Sequence, residues 1–350
     1  MPDAPLRVFL SAAEPSGDRL AAELLAALRE RLPVTARGVA GPQMRAAGVL
    51  PVAHTEDLSV MGLVEVLRHL RRVRDAQSIT AAGLDNGADV FIGIDAPDFH
   101  LPLARQARAL GIPAVGYVSP QVWAWRRGRT KTISTALDML MCLFAFEPAL
   151  YPDLDARWVG HPVRDRVPAR AAVDPDLYGL LPGSRAQELE RMLPDFLAAA
   201  ERVRAARPGA RFVVPLPSSL RPMLPLLPAH VVVVEPGVAA LAGARAALTK
   251  SGTVTLELAT MGVPQVVAHR VHPATYHVGR QVVRGIKHIA LPNILAGRAV
   301  VPEFVQHFTP DRLAEAVLAL PDAQAVDLSA VGPGGAAARA ADTLLEFLGR

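Results

Sequence analysis

The run Asp89-Val90-Phe91-Ile92-Gly93-Ile94-Asp95-Ala96-Pro97-Asp98-Phe99 sets a carboxylate at the end of an apolar strand. Uninterrupted apolar residues suit a strand buried on both faces of a parallel sheet, and Pro97 cannot continue its ladder. In open α/β sheets chemistry gathers beyond the carboxyl ends of the strands, so Asp95 is a candidate general base. The plainer reading is that Asp95 only caps the following turn. Two further stretches suit anions. At Leu181-Pro182-Gly183-Ser184-Arg185, Gly183 permits close backbone approach, free N–H groups would face a phosphate, and Arg185 adds a forked cation. At Lys250-Ser251-Gly252-Thr253-Val254-Thr255-Leu256-Glu257 the same strand–turn–helix layout recurs. Ser251 or Thr253 can cap that helix, and Glu257 can either hold a ribose diol or complement the helix dipole. Either turn alone is weak evidence, since most Pro-Gly turns before helices are only turns.

The elements that must position these groups repeat as strand and helix. Arg7–Ala13 reads as a strand, Glu14-Pro15-Ser16-Gly17-Asp18 as a turn and Arg19–Leu32 as a helix. That turn lacks the G-x-G-x-x-G of a dinucleotide site. Strands at Thr35–Ala40, Ala114–Val118 and Leu140–Phe146 and a helix at Leu101–Leu110 extend the alternation, with another helix opening at Gln121–Arg127. Tyr151–Asp176, rich in Pro, Arg and Asp, reads as a connection. The pattern restarts with strands at Tyr178–Leu181, Phe212–Leu216, Val231–Val234, Ala246–Thr249 and Pro264–His269, and a helix at Gln187–Arg204. The fold class is therefore α/β, with two Rossmann-like domains facing a cleft. Residues 1–165 form the first and 176–332 the second, and a helix over 333–350 packs back on the first.

Composition agrees. A chain of 350 residues, 51% hydrophobic and 20% charged, can build two cores. No window approaches the roughly 18 apolar residues of a membrane span. The amino terminus runs straight into a strand without a secretory leader, and one cysteine, Cys142, precludes an internal disulfide. A cytoplasmic protein is expected, with Cys142 inert in a buried strand. The net charge of +4 favours anionic partners, yet no nucleic-acid-binding motif accompanies it. Val60–Val73 carries apolar residues around about half a helical wheel and ends in arginines, as either a core helix or a helix for the membrane interface would. Trp123 and Trp125 cannot share one helix face, so one of them is a candidate for a surface, a cleft or a neighbouring chain, although structural packing is the commoner fate of tryptophan.

Taken in order, Glu14–Asp18, Gly38-Val39-Ala40-Gly41-Pro42, Ser59–Leu67, Gly93–Phe99, Tyr117-Val118-Ser119-Pro120-Gln121-Val122-Trp123-Ala124-Trp125, Leu180–Arg185, Ser251-Gly252-Thr253 and Leu291-Pro292-Asn293-Ile294-Leu295-Ala296-Gly297-Arg298 resemble the lipid-A-disaccharide synthase family. The resemblance runs from about Leu6 to Phe304. It implies an inverting, metal-independent glycosyltransferase of the GT-B architecture with no cofactor. Such an enzyme joins UDP-2,3-diacylglucosamine to 2,3-diacylglucosamine 1-phosphate through a β-1,6 linkage. On this resemblance Asp95 is the base and Arg185 steadies the leaving UDP. Glu257 holds the ribose, Ser251 and Thr253 the phosphates, and Asn293 lines the donor side. Glu14, Ser16 and Asp18 shape the opposite wall, with Gly17, Asp98, Gly183, Ser184 and Gly252 among the substrate contacts. Val60–Val73 becomes a dock on the inner face of the cytoplasmic membrane, and a homodimer is one open assembly. Pro15 and Lys250 depart from the family pattern: the first stiffens its loop, and the second either adds a phosphate contact or reaches solvent. Rival readings are another GT-B enzyme of UDP-N-acetylglucosamine, a cell-wall transferase or an epimerase, and a non-catalytic membrane-associated lipid-binding protein.

Overall fold

Strands that read as unbroken apolar runs are, in the computed structural model, central strands of parallel sheets, apart from Val231–Val234, which forms an edge strand with Val232 exposed. The structure describes residues 4–58, 83–84, 87–120, 127–271 and 287–350, in two compact units. The first comprises Met1–Pro162 with Ala330–Arg350, and the second Val163–Ser329. Val60–Val73 and the tryptophans Trp123 and Trp125 lie outside the described residues.

In the first unit β1 (Leu6–Ala12) leads into α1 (Pro15–Arg29), β2 (Val34–Ala40), α2 (Pro42–Ala46) and β3 (Leu50–His54). Then come β4 (Val90–Ile94), α3 (Pro97–Ala109), β5 (Ala114–Tyr117), α4 (Thr130–Ser134), β6 (Met139–Cys142) and β7 (Asp155–Trp158). All pairings are parallel, in the order β3-β2-β1-β4-β5-β6-β7. Every residue of β4 is buried, and Phe9, Phe91, Leu103, Ile133 and Leu140 belong to one apolar cluster on that sheet. Each such side chain withdrawn from water contributes about 1.5–3 kcal/mol. α1 turns Leu20, Leu24, Leu25 and Leu28 inward, and it packs against the C-terminal helix Ala336–Leu348. The strand expected over Leu140–Phe146 stops at Cys142, because the Glu147 carboxylate takes the N–H groups of Leu143 and Phe144 at 3.0 and 2.9 Å. Cys142 is fully buried, and burial pushes its thiol pKa up.

The second unit begins with α5 (Val163–Arg166) and β8 (Asp174–Leu181), so part of the expected connection is ordered structure. α6 (Ala186–Ala206), β9 (Arg211–Pro215), β10 (Val231–Val234), β11 (Ala244–Lys250), α7 (Val254–Met261) and β12 (Gln265–His269) follow. α8 (Leu291–Ala296), β13 (Glu303–Val305) and α9 (Pro310–Leu318) complete it. The sheet is again parallel, ordered β10-β9-β8-β11-β12-β13. Among the described residues no helix is long and apolar enough to cross a membrane.

Each strand order reverses once, between β1 and β4 in the first sheet and between β8 and β11 in the second. A crevice opens at such a switch point, beyond the carboxyl ends of the two strands, because their crossovers leave in opposite directions. Glu14–Asp18 and Asp95 follow β1 and β4, while Pro182–Arg185 and Ser251–Thr253 follow β8 and β11.

Candidate active site

At the first switch point the backbone is bent out of its ordinary range. Asp95 and Ala96 both lie in the left-handed region, with φ of 53° and 40°, and Val118 at the end of neighbouring β5 has φ 83°. Left-handed backbone is uncommon for residues other than glycine and costs on the order of 1–3 kcal/mol each. Surrounding bonds hold it: the Asp95 N–H donates to the Tyr117 carbonyl at 2.9 Å, and Val118 N–H to Met141 at 3.0 Å. The Asp95 carbonyl accepts from His100 Nδ1 at 2.7 Å, and His100 Nε2 lies 3.0 Å from Ser11 Oγ. Asp95 is half-buried. Burial lifts its carboxyl above the usual range, and the Glu14 carboxylate adds to that, against a lowering bond from the Ala96 N–H. A carboxyl shifted upward by burial and a like charge is a common mark of acid–base sites. His100 is buried, which holds its pKa down to about 4 and leaves the ring neutral at physiological pH.

At the second switch point Gly183 has φ 125°, and a Cβ there would lie 2.5 Å from Glu188 Oε2. Arg185 is the N-cap residue of α6, with an exposed side chain whose Nη1 stands 4.0 Å from Glu188 Oε1. Glu188 lies in the first turn of α6 and reaches back to accept the Ser184 N–H at 3.0 Å. It also pairs with Lys250 Nζ at 2.9 Å, both side chains 19% exposed. Gly252 and Thr253 are exposed at the start of α7. His269, one strand over, is held to a pKa of about 4 by burial and then by the Lys250 charge. Among the described residues no cluster of histidine, cysteine and carboxylate side chains could hold a metal ion.

A family profile described as lipid-A-disaccharide synthetase matches residues 8–323. The chain belongs to this family. A lipid-A-disaccharide synthase of Burkholderia mallei is 42% identical over 343 residues, covering 90% of this chain and 87% of that protein. The calicheamicin glycosyltransferase CalG4 superposes with a TM-score of 0.67 at 18% identity, covering 99% of both chains. The UDP-GlcNAc 2-epimerase of Methanocaldococcus jannaschii, in complex with UDP-GlcNAc and UDP, gives 0.60 at 14% identity over 98% of this chain and 100% of that one. The fold is that of the GT-B glycosyltransferases and epimerases, and family membership makes the chain an enzyme, a glycosyltransferase.

Within the synthetase family frame the expected residues divide. Glu14, Ser16, Asp95 and Asp98 stand at the open end of the first switch point, Glu14, Ser16 and Asp98 exposed, with Asp98 in an ion pair to Arg129. Gly17 is buried behind them, its absent Cβ leaving 3.3 Å to the Ile94 carbonyl. Asp18 does not line a wall. It is buried and accepts the N–H groups of Gln43 and Met44 at 2.9 and 3.0 Å, which satisfies the start of α2. In the second unit Gly183, Ser184, Arg185, Gly252 and Thr253 surround the paired turns, with Glu257 half-buried in the first turn of α7. The Ser184 N–H is not free for a phosphate, because Glu188 already holds it. Thr253 is the N-cap residue of α7, though its hydroxyl makes no capping bond, and the Ser251 hydroxyl donates instead to the Ile289 carbonyl at 2.8 Å. Lys250 reaches Glu188 rather than solvent. Asn293 is fully buried, accepting the N–H groups of Val300 and Val301 at 2.6 and 2.8 Å and donating to the Val301 carbonyl and to Glu303. With its amide so engaged it ties α8 to β13 instead of facing a donor.

His100, Glu188 and Glu303 carry much of this geometry and have no place in the sequence argument above as site residues. Glu188 had a signal, since a glutamate three residues into a helix commonly reaches back to its cap. His100 had a fainter one, standing one turn beyond Asp95 across the strand–helix junction.

Proposed function

We propose that this transferase joins UDP-2,3-diacylglucosamine to 2,3-diacylglucosamine 1-phosphate, giving the β-1,6-linked disaccharide 1-phosphate and UDP. The observation that carries the chemistry is Asp95. Its backbone is strained and its carboxyl, raised in pKa, stands at a topological switch point, which suits removal of a proton from an acceptor hydroxyl. As the acceptor 6-oxygen attacks the anomeric carbon, its proton passes to Asp95. The bond from that carbon to the β-phosphate oxygen breaks, and UDP leaves with the electron pair. Arg185, exposed beside the turn after β8, offers a guanidinium to the departing diphosphate, which favours the transition state over the ground state as charge develops. Gly252 and Thr253 at the start of α7 supply backbone N–H groups to the same anion, and Glu257 takes the ribose. Both substrates carry acyl chains, so the reaction takes place at a lipid surface, and Val60–Val73 is the segment assigned to the inner face of the cytoplasmic membrane.

The test is transfer from UDP-2,3-diacylglucosamine to the acyl-sugar phosphate in mixed micelles with EDTA present. Wild type is expected to turn over regardless of EDTA. Asp95→Ala and Arg185→Ala are each expected to lose at least about 100-fold in kcat. Near-wild-type turnover by Asp95→Ala removes the assigned base. Release of free sugar from the nucleotide without acceptor favours an epimerase instead.

A further inference from the structure

We propose that His100 is a positioning residue for this reaction: its neutral ring, protonated on Nδ1, clamps the Asp95 carbonyl and so fixes the left-handed step from which the carboxyl is presented. The proposal rests on the reading of Asp95 as base.

Chemistry assigns the ring's proton. A carbonyl oxygen can only accept, so the 2.7 Å contact to Asp95 requires the hydrogen on Nδ1. Nε2 of a neutral ring is then an acceptor, and the Ser11 hydroxyl at 3.0 Å must donate to it. Ser11 sits on β1 opposite Gly93 of β4, so one imidazole spans both strands of the switch point and ends on the catalytic turn. The place for the ring is made by a glycine. A Cβ on Gly93 would lie 2.8 Å from His100 Cβ and 3.0 Å from Cγ. The Phe99 ring meets the imidazole edge-on, centroids 5.1 Å apart. An imidazole fixed by two hydrogen bonds, a glycine floor and an aromatic edge has no freedom to swing, and α3 thereby holds Asp95 and Ala96 in a conformation their side chains disfavour. Protonation would place a positive charge in a buried site, which is why a neutral ring is the working form.

Steady-state kinetics and pH profiles of His100→Leu, His100→Asn and His100→Gln, beside Asp95→Asn, test this. His100→Leu is expected to lose about 10- to 100-fold in kcat with KM for both substrates within about twofold, as a small displacement of a reacting group does. Its acid limb should fall toward the ordinary carboxylate range as Asp95 relaxes into water. Among the described residues Glu14 is the charged group that also acts on that carboxyl, so each variant is repeated with Glu14→Gln, in which the same fall is expected. His100→Asn places an amide N–H where Nδ1 stands and should restore most of the rate, whereas His100→Gln reaches toward Ser11 and should not. Wild-type kcat and an unmoved acid limb in His100→Leu overturn the proposal while leaving the base intact, provided Asp95→Asn is inactive. Full turnover by Asp95→Asn overturns the base and the proposal with it. Should His100→Leu fail to fold, the amide pair decides: equal rates for Asn and Gln overturn the clamp.

Discussion

At the scale of single residues the turn proposed to carry the base trades stability for reactivity. Asp95 is held partly away from water, beside the Glu14 carboxylate and in left-handed backbone, and each of these opposes its ionised form or its conformation. The sign follows from linkage. A carboxyl whose folded pKa is raised stabilises the fold at pH values below its unfolded pKa, and that contribution is lost as pH rises through the folded value. Near neutrality the charge is therefore a burden on the first unit. Asp95→Asn removes that charge while keeping a side chain of the same size and the same tolerance of φ > 0. The expected outcome is an inactive protein whose first unit melts a few degrees higher at pH 7, with the gain vanishing near pH 3. Calorimetry at the two pH values checks it, and a lower melting point at pH 7 would show that the carboxylate is stabilised by its surroundings.

At the scale of elements, the turn after β8 is braced from below. Glu188 of α6 joins the Ser184 N–H to Lys250 at the end of β11, which locks the turns after the two central strands to each other. Burial pushes the Glu188 carboxyl up, but the hydrogen bond and charge of Lys250, with the Ser184 N–H, outweigh that and hold it below its ordinary pKa. Its contribution to stability is present above the unfolded pKa and disappears as pH falls through the lowered folded value. Lys250→Met leaves the carboxylate half-buried without its cation, at a cost on the order of 2–4 kcal/mol, and the double variant with Glu188→Leu should recover part of that. Urea melts of the two single variants and the double one at pH 7 measure the coupling, and additive losses would mean that the pair is not coupled. Sequence could show the two turns, because Gly183, Arg185 and Gly252 announce themselves by type and spacing. It could not show the brace, since a lysine and a glutamate 62 positions apart are neighbours only through the parallel pairing of β8 with β11. The same limit explains Asp18 and Asn293. Polar residues in a motif read equally well as ligand contacts or as internal caps, and only burial separates the two. Central strands and the edge strand β10, a run of four valines, were legible from their apolar runs, while the short edge strands β3, β7 and β13 carried no such signal.

At the scale of the whole molecule, chain order and structural unit part company at the carboxyl end. Residues from Ala330 onward belong to the first unit although the second precedes them in sequence. The C-terminal helix buries Ala340, Ala341, Leu344 and Leu345 and packs on α1, where Arg31 meets Asp342 and donates to the Ala338 carbonyl at 3.1 Å. Arg339 Nε donates to the Val159 carbonyl at 3.0 Å, and Gly160 has room for that guanidinium only because it lacks a Cβ, which would lie 2.3 Å from Nη2. Two leucines and a patch of small residues withdrawn from water stabilise by roughly 3–6 kcal/mol, a large share of the 5–15 kcal/mol typical of a domain. Removing residues 330–350 is therefore expected to lower the melting of the first unit by well over ten degrees, and that of the second by little. Hydrogen exchange followed by fragment should show early loss of protection in β1, β4 and α1, with β8 and β11 unchanged. A uniform loss across both sheets would mean that the two units unfold as one, and the helix would then stabilise the whole chain rather than the unit it completes.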